Sequence, residues 1–189
     1  HYDLAKRALA AGKKVFLEKP LSDNLDDAQK LFELSQGKHL FIGLIFLYNP
    51  CYKIIKELMF NDPIVDIEMN WNKFGSFTED IFLNIASQEL SIVYGLLQKS
   101  PVDVKLLKDE GVVSSCDIAS IDLTYDNGET CKININRASP QKRKEVRITT
   151  RSGNVFYWID NKVMKLNKET KSLDLIYESV EEPLKTEVK

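Results

Sequence analysis

A short apolar run at residues 15–20, Val-Phe-Leu-Glu-Lys-Pro, ends abruptly in two charged residues and a proline. The run predicts a buried strand, and the carboxyl end of such a strand is where open α/β sheets bind ligands. Because Pro20 fixes its own φ, lacks an N–H group and disfavours a helical Lys19, the chain has to turn here. Lys19 is therefore predicted to lie at a defined position just beyond a strand.

The residues around this strand predict part of a βαβ unit. Residues 1–11 have the apolar spacing of a short amphipathic helix, and Gly12 is suited to a left-handed cap at its end. No earlier strand, Gly-x-Gly-x-x-Gly turn or ribose-binding acid precedes this helix. We therefore expect residues 1–45 to be the C-terminal remnant of a dinucleotide-binding domain whose first half the chain lacks.

The rest of the chain changes from helices to strands. Asn24 and Asn49 each stand where a helix N-cap is expected, and a long helix is predicted over residues 80–97. Short alternating segments and hairpin turns such as Asp126-Asn127-Gly128 follow. The pattern predicts an α+β fold, with an open, mostly antiparallel sheet carrying helices on one face, preceded by a remnant of a Rossmann-type α/β unit.

Composition excludes several classes of protein. The 189 residues include 26 Lys plus Arg and 28 Asp plus Glu, so the net charge of -2 provides no general attraction for nucleic acid or an acidic membrane. No apolar stretch is long enough to span a membrane. Cys51, Cys116 and Cys131 lack metal-ligand spacing and indicate reduced thiols in a cytoplasmic protein. With only two histidines, we expect no metal site.

The stretch from Ala11 to Leu21, Ala-Gly-Lys-Lys-Val-Phe-Leu-Glu-Lys-Pro-Leu, resembles the Glu-Lys-Pro signature of the Gfo/Idh/MocA family of NAD(P)-dependent oxidoreductases. The resemblance implies NAD or NADP as cofactor of the full-length protein, with Glu18, Lys19 and Pro20 at the cofactor. It implies that Lys19 is catalytic, donating a hydrogen bond or relaying a proton. The chain alone is not expected to bind the cofactor, because the phosphate-binding glycine turn is missing.

Three further residues are candidates for substrate binding. Phe46-Leu47-Tyr48-Asn49-Pro50 resembles a segment of family members that act on UDP-activated sugars, although Asn49 could simply cap a helix. The family's usual Asp-x-x-x-His pair corresponds here to Asn84 and Gln88, one helical turn apart. Neither amide accepts a proton near neutral pH, so both are predicted to hydrogen-bond substrate hydroxyls. Glu89 points about 100° away from Gln88 and is not an obvious substitute.

The resemblance implies an α/β substrate-binding and oligomerisation domain over residues 46–178, followed by a loose tail over residues 179–189. The predicted function is hydride transfer between NAD(P) and a sugar or nucleotide-sugar hydroxyl. The alternative is a catalytically degenerate, non-enzymatic sugar-binding or assembly module, and this chain alone is expected to be inactive.

The expected partners are a small-molecule sugar or nucleotide sugar and a second copy of the chain. We predict a homo-oligomer formed through the open sheet face, because the strands at 64–71 and 119–125 carry apolar residues on both sides. The basic run at 141–144 is interpreted as a solvated turn or, alternatively, as a contact for an anion.

Overall fold

The computed structural model describes residues 1–37, 39–180 and 187. Its contacts divide the chain into two compact units, His1–Ile45 and Phe46–Lys189. Most of the tail predicted for residues 179–189 lies outside the described residues.

The first unit is a small α/β layer. Its elements are α1 (Tyr2–Ala10), β1 (Val15–Glu18), α2 (Leu25–Ser35) and β2 (Leu40–Gly43). Strands β1 and β2 are parallel, as a βαβ crossover requires. Gly12 has a φ of 70°, and the Asn24 side chain accepts a hydrogen bond from the Asp27 N–H, so both predicted helix ends are present.

Burial in the first unit is less complete than the sequence pattern predicts. Within β1 only Leu17 is fully buried, where it packs with Ala5, Leu9 and Leu31. Phe16 is 52% exposed and stacks on Phe41 of the neighbouring strand. The reason is that β1 pairs with β2 alone among the described strands, so one edge and one face have no neighbour.

The second unit contains the larger part of the chain. A 3-10 helix (Ile45–Tyr48) leads into it, followed by α3 (Pro50–Leu58), β3 (Ile64–Asn72), a π-helical turn (Phe82–Ala86) and α4 (Ser87–Leu97). The remaining strands are β4 (Asp103–Glu110), β5 (Ile118–Thr124), β6 (Thr130–Asn136), β7 (Arg143–Thr150), β8 (Val155–Ile159), β9 (Lys162–Asn167) and β10 (Ser172–Glu178).

These strands form one eight-stranded sheet in the order β10-β9-β8-β7-β3-β6-β5-β4. Only β3 and β6 are parallel, so the predicted open and mostly antiparallel sheet is confirmed. Alternate residues on one face, such as Ile67, Ile133 and Ile148, are fully buried in the core formed with α3 and α4. Burying side chains of this size stabilises the unit by about 1.5–3 kcal/mol each.

The other face of the sheet is polar at its centre, which corrects the expectation of apolar residues on both sides. Arg147 forms ion pairs with Asp66 and Glu68 of β3. The Asn134 side chain donates a hydrogen bond to Asn70. The strand predicted at 119–125 alternates strictly, with its apolar residues on the core face. The strand predicted at 64–71 alternates in the same way from Asp66 onwards, after a register shift between Ile64 and Asp66.

The long helix predicted over residues 80–97 is interrupted at its start. The Asp80 carboxylate accepts hydrogen bonds from the N–H groups of Phe82 and Leu83, as an N-cap does. The next turn is π-helical, and regular α-helix begins only at Ser87. Such π-turns occur frequently at functional sites.

Candidate functional site

A cavity of about 690 Å³ lies in the second unit, within the size range of small-molecule sites. Three aromatic side chains, Phe46, Trp71 and Trp158, line it. The sheet register explains why the two tryptophans meet there. Trp71 of β3 is opposite Lys144 of β7, and Trp158 of β8 is opposite Val146 of β7. Both indoles therefore point to the helix-covered face, from the two strands that flank β7.

Lys144 is the charged group at the centre of this aromatic wall. Its Nζ lies 2.6 Å from Oε1 of Glu89 in α4, and the two side chains are only 13% and 2% exposed. The same ammonium lies 3.2 Å from the centroid of the Phe46 ring and 5.4 Å from that of Trp71. A helix and a strand are thus joined at the cavity by a buried ion pair stacked on aromatic rings.

The pKa of Lys144 reflects this environment. Burial lowers the pKa of the ammonium below its usual value, and the attraction of Glu89 opposes that shift only in part. A buried lysine with a lowered pKa beside a cavity is typical of functional sites, although structural ion pairs produce it too.

Two more lysines and a helix N-terminus surround the cavity. Lys73 follows β3 and Lys142 precedes β7, and both line the cavity while remaining exposed. Asn49 lines it as well, and its side chain accepts a hydrogen bond of 2.8 Å from the N–H of Cys51 in the first turn of α3. The one acidic side chain in the described lining is Asp160, whose carbonyl oxygen accepts a hydrogen bond from the Trp158 indole.

Of the three predicted substrate-binding residues, the cavity contains Asn49. It is buried and caps α3, so both interpretations of its motif remain open. Asn84 lies in the π-helical turn and donates a hydrogen bond to Glu79, and Gln88 is the second residue of α4. Within the described lining of the cavity, neither Asn84 nor Gln88 occurs, so their roles stay predictions.

The segment before Asn84 is fixed by a second buried ion pair. Arg137 donates from Nε to Asp117 at 2.8 Å, and both side chains are almost inaccessible. The same guanidinium donates to the carbonyl oxygens of Ser76 and Glu79. Burial opposes ionisation of Asp117, but hydrogen bonds from the Ser114 side chain and nearby N–H groups outweigh it and hold the pKa of Asp117 below its usual range.

The Glu-Lys-Pro motif belongs to the first unit. Glu18 ends β1, its side chain packs against Gly43 of β2, and the Lys19–Pro20 peptide bond is cis. Any Cβ at position 43 would lie about 3.3 Å from the Phe16 ring, so glycine suits this close pairing. The predicted cofactor and catalytic roles of Glu18, Lys19 and Pro20 remain predictions.

The described part of the first unit does not suit the pyrophosphate of a dinucleotide. The N-terminus of α2 carries Asp26 and Asp27 in its first turn, and these carboxylates repel a phosphate. Any phosphate cradle must therefore come from residues other than these.

Neither Lys144, which lines the cavity, nor its partner Glu89 is predicted from the sequence as a site residue. The sequence predicts a turn or an anion contact at 141–144, whereas in the structure β7 already begins at Arg143 and contains Lys144. Side chains two residues apart in a strand share a face, so Lys144 shares the core face with Val146 and Ile148. This spacing is the feature of the sequence from which the burial of Lys144 could have been predicted. Glu89 points away from Gln88 and is therefore not predicted to replace it as a base. In the structure the Glu89 side chain points to Lys144 and forms an ion pair with it.

Two classes of site are not found in the described residues. No group of three or more His, Cys, Asp or Glu side chains there is arranged to hold a metal ion. None of the helices described is long and apolar enough to cross a membrane. The three cysteines are free thiols, and Cys51 and Cys131 are buried.

The comparison with known protein families gives a match for the first unit of the chain. The model of the Gfo/Idh/MocA family, an oxidoreductase family with an NAD-binding Rossmann fold, matches residues 1–46. The matched residues include Glu18, Lys19 and Pro20, so the predicted family resemblance is confirmed. NAD(P) is accordingly the cofactor of full-length members of this family.

The individual relatives include a dehydrogenase of a nucleotide sugar. UDP-N-acetylglucosamine 3-dehydrogenase from Acidithiobacillus ferrooxidans is 25% identical over 152 residues, covering 78% of this chain and 49% of that enzyme. A solved structure of that enzyme superposes with a TM-score of 0.88 at 20% identity, covering 100% of this chain and 63% of the other.

A more distant structure has the same fold. An inositol dehydrogenase homologue from Azotobacter vinelandii, solved with NADH and myo-inositol, gives a TM-score of 0.78 at 15% identity, covering 93% of this chain and 52% of the other. At such identities the structural likeness shows the fold. The chain spans about half the length of the UDP-N-acetylglucosamine 3-dehydrogenase it matches.

Proposed function

We propose that this chain is the substrate-binding part of an NAD(P)-dependent oxidoreductase that transfers hydride between the nicotinamide and a hydroxyl of a sugar or nucleotide sugar. The observation that carries the proposal is the family match over residues 1–46, which includes the Glu-Lys-Pro motif. The sequence match to UDP-N-acetylglucosamine 3-dehydrogenase supports a sugar-bearing substrate. The comparisons do not favour the alternative of a non-catalytic binding module.

In this proposal the cavity of the second unit holds the substrate. Aromatic walls such as Trp71 and Trp158 suit the apolar face of a sugar ring, and Asn49 offers an amide for a hydroxyl. Asn84 and Gln88, which the described lining of the cavity does not include, are proposed to hydrogen-bond substrate hydroxyls that extend beyond it. Neither can remove a proton, so Lys19 is proposed to carry the proton transfer.

The nicotinamide supplies the hydride chemistry when it is bound to the complete enzyme. The contribution of this chain is to orient the reacting hydroxyl and to hold or relay its proton through the Lys19 Nζ. A lysine acts as an oriented hydrogen-bond donor when it is protonated, and as a base only if its surroundings lower its pKa.

The same proposal includes a homo-oligomer formed by the open sheet face. Because the centre of that face is polar, we expect the interface between copies to lie at β9 and β10. There Leu173 and Leu175 are 41% and 55% exposed. Their partners across the strand pair are Leu166 and Met164, which lie on the same face. Together they form a small apolar strip.

The test uses an enzyme in which a dinucleotide-binding half precedes this chain, assayed for NAD(P) reduction with sugars and nucleotide sugars. Lys19→Ala should lower turnover by about 10²–10⁴-fold, the usual contribution of a positioned acid or base. Gln88→His should raise turnover, because it supplies the missing base. Lys14→Ala, before the same strand, is the matched control.

Unchanged turnover in Lys19→Ala would reject the catalytic role of Lys19. Absence of hydride transfer with every sugar and nucleotide sugar, in a folded enzyme that binds NAD(P), would reject the oxidoreductase proposal and favour a binding module.

A further inference from the structure

The mouth of the cavity carries two lysines whose placement folding does not explain. The β3–β7 pair ends with Asn72 opposite Arg143, and Lys73 and Lys142 are the residues next to that last pair on each chain segment. Both line the cavity. Two like charges that line one cavity repel each other. Within residues 1–37, 39–180 and 187, neither lysine forms an ion pair.

The positive charge is reinforced by the helix that begins at the cavity. Asn49 is the N-cap of α3, and the N-terminus of a helix of this length carries partial positive charge. Lys144 adds little net charge because Glu89 neutralises it, and Asp160 offsets one lysine. The remaining excess is positive and is concentrated at Lys73 and Lys142.

Within the described residues, a neutral sugar would leave the net positive charge of this cavity lining uncompensated. A phosphate or diphosphate group between the two lysines would relieve their repulsion and accept charge-assisted hydrogen bonds from both ammonium groups. The aromatic walls behind them offer faces for a ring attached to that group. The cavity volume of about 690 Å³ leaves room for such a two-part ligand.

We propose that the substrate of this cavity carries a phosphate or diphosphate group, and that Lys73 and Lys142 are its ligands. This inference rests on the proposed function, in which the cavity is the substrate site. It adds the selection of an anionic substrate over a neutral sugar.

The cavity provides its own probe. The chain contains two tryptophans, Trp71 and Trp158, and both line the cavity, so intrinsic tryptophan fluorescence reports on its occupancy. Residues 1–189 are titrated with UDP, inorganic pyrophosphate, N-acetylglucosamine and NAD⁺. We expect saturable changes with UDP and with pyrophosphate, weakened by added salt, and a response to N-acetylglucosamine at least about tenfold weaker.

Variants test the two ligands directly. Lys73→Gln and Lys142→Gln should each weaken UDP binding by about 10–100-fold, because each loses a charge-assisted hydrogen bond. Lys168→Gln, an exposed lysine in the turn between β9 and β10, removes the same charge and should leave binding unchanged. Circular dichroism of each variant checks that the fold is retained.

Several outcomes overturn the proposal. These are no response to UDP or pyrophosphate, equal effects of all three variants, or a stronger response to NAD⁺ than to UDP, which would assign the lysines to the cofactor. Binding of N-acetylglucosamine alone would reject the phosphate site and leave the oxidoreductase proposal intact. UDP binding that depends on the two lysines, without hydride transfer in the complete enzyme, would support the phosphate site and reject the oxidoreductase proposal.

Discussion

Removing one member of the buried Lys144–Glu89 ion pair should lower the free energy of unfolding by much more than removing an exposed pair does. Replacing Glu89 with leucine leaves the Lys144 ammonium buried without its carboxylate partner. Because Glu89 is 2% exposed and Lys144 13% exposed, water cannot replace that partner without rearrangement. Breaking a buried pair by removing one member costs about 3–5 kcal/mol.

The double variant Glu89→Leu/Lys144→Met should recover most of this loss. It removes both charges, and methionine can still pack against Phe46 and Trp71. Replacing both members of a buried pair with apolar residues of similar volume is often neutral or stabilising. We therefore expect the double variant to be more stable than Glu89→Leu alone.

Urea unfolding followed by circular dichroism at pH 7 measures these differences, with the midpoint and slope fitted for each variant. The matched control is Glu110→Gln, which breaks the exposed ion pair with Lys108 and should cost about 0–1 kcal/mol. A Glu89→Leu cost no larger than that of the control, or a double variant less stable than the single one, would refute this account of the pair.

Two further predictions concern a buried thiol and the open sheet face. Burial raises the pKa of Cys51 from 9.0 to about 11. Above pH 9 the unfolded chain therefore releases this proton before the folded one does, and stability falls as pH rises towards 11. Between pH 8 and 11, the free energy of unfolding measured in urea should fall by about 2 kcal/mol less in Cys51→Ala than in the parent chain. Equal decreases in the two proteins would contradict this prediction. For the sheet face, Leu175→Asp should lower the sedimentation-measured self-association of the chain, whereas Leu4→Asp, at an exposed site in α1, should not. A parent chain that stays monomeric at micromolar concentration would refute the homo-oligomer.

Residues whose effects are local could be interpreted from the sequence. Gly12, Asn24 and Pro50 mark helix ends by their own backbone chemistry, and all three occupy those positions in the structure. The alternating apolar residues of the second unit were sufficient to predict an open, mostly antiparallel sheet. The Glu-Lys-Pro motif was sufficient to predict the family whose model matches residues 1–46.

The cavity depended on tertiary structure. Lys144 and Glu89 are 55 residues apart in the sequence, and each looks like an ordinary surface charge until the helix packs on the sheet. Lys73 and Lys142 come to line one cavity only through the pairing of β3 with β7. Local patterns determine the type of each element, but the pairing and packing of distant elements decide which side chains share a site, because these contacts depend on long-range burial and hydrogen bonding.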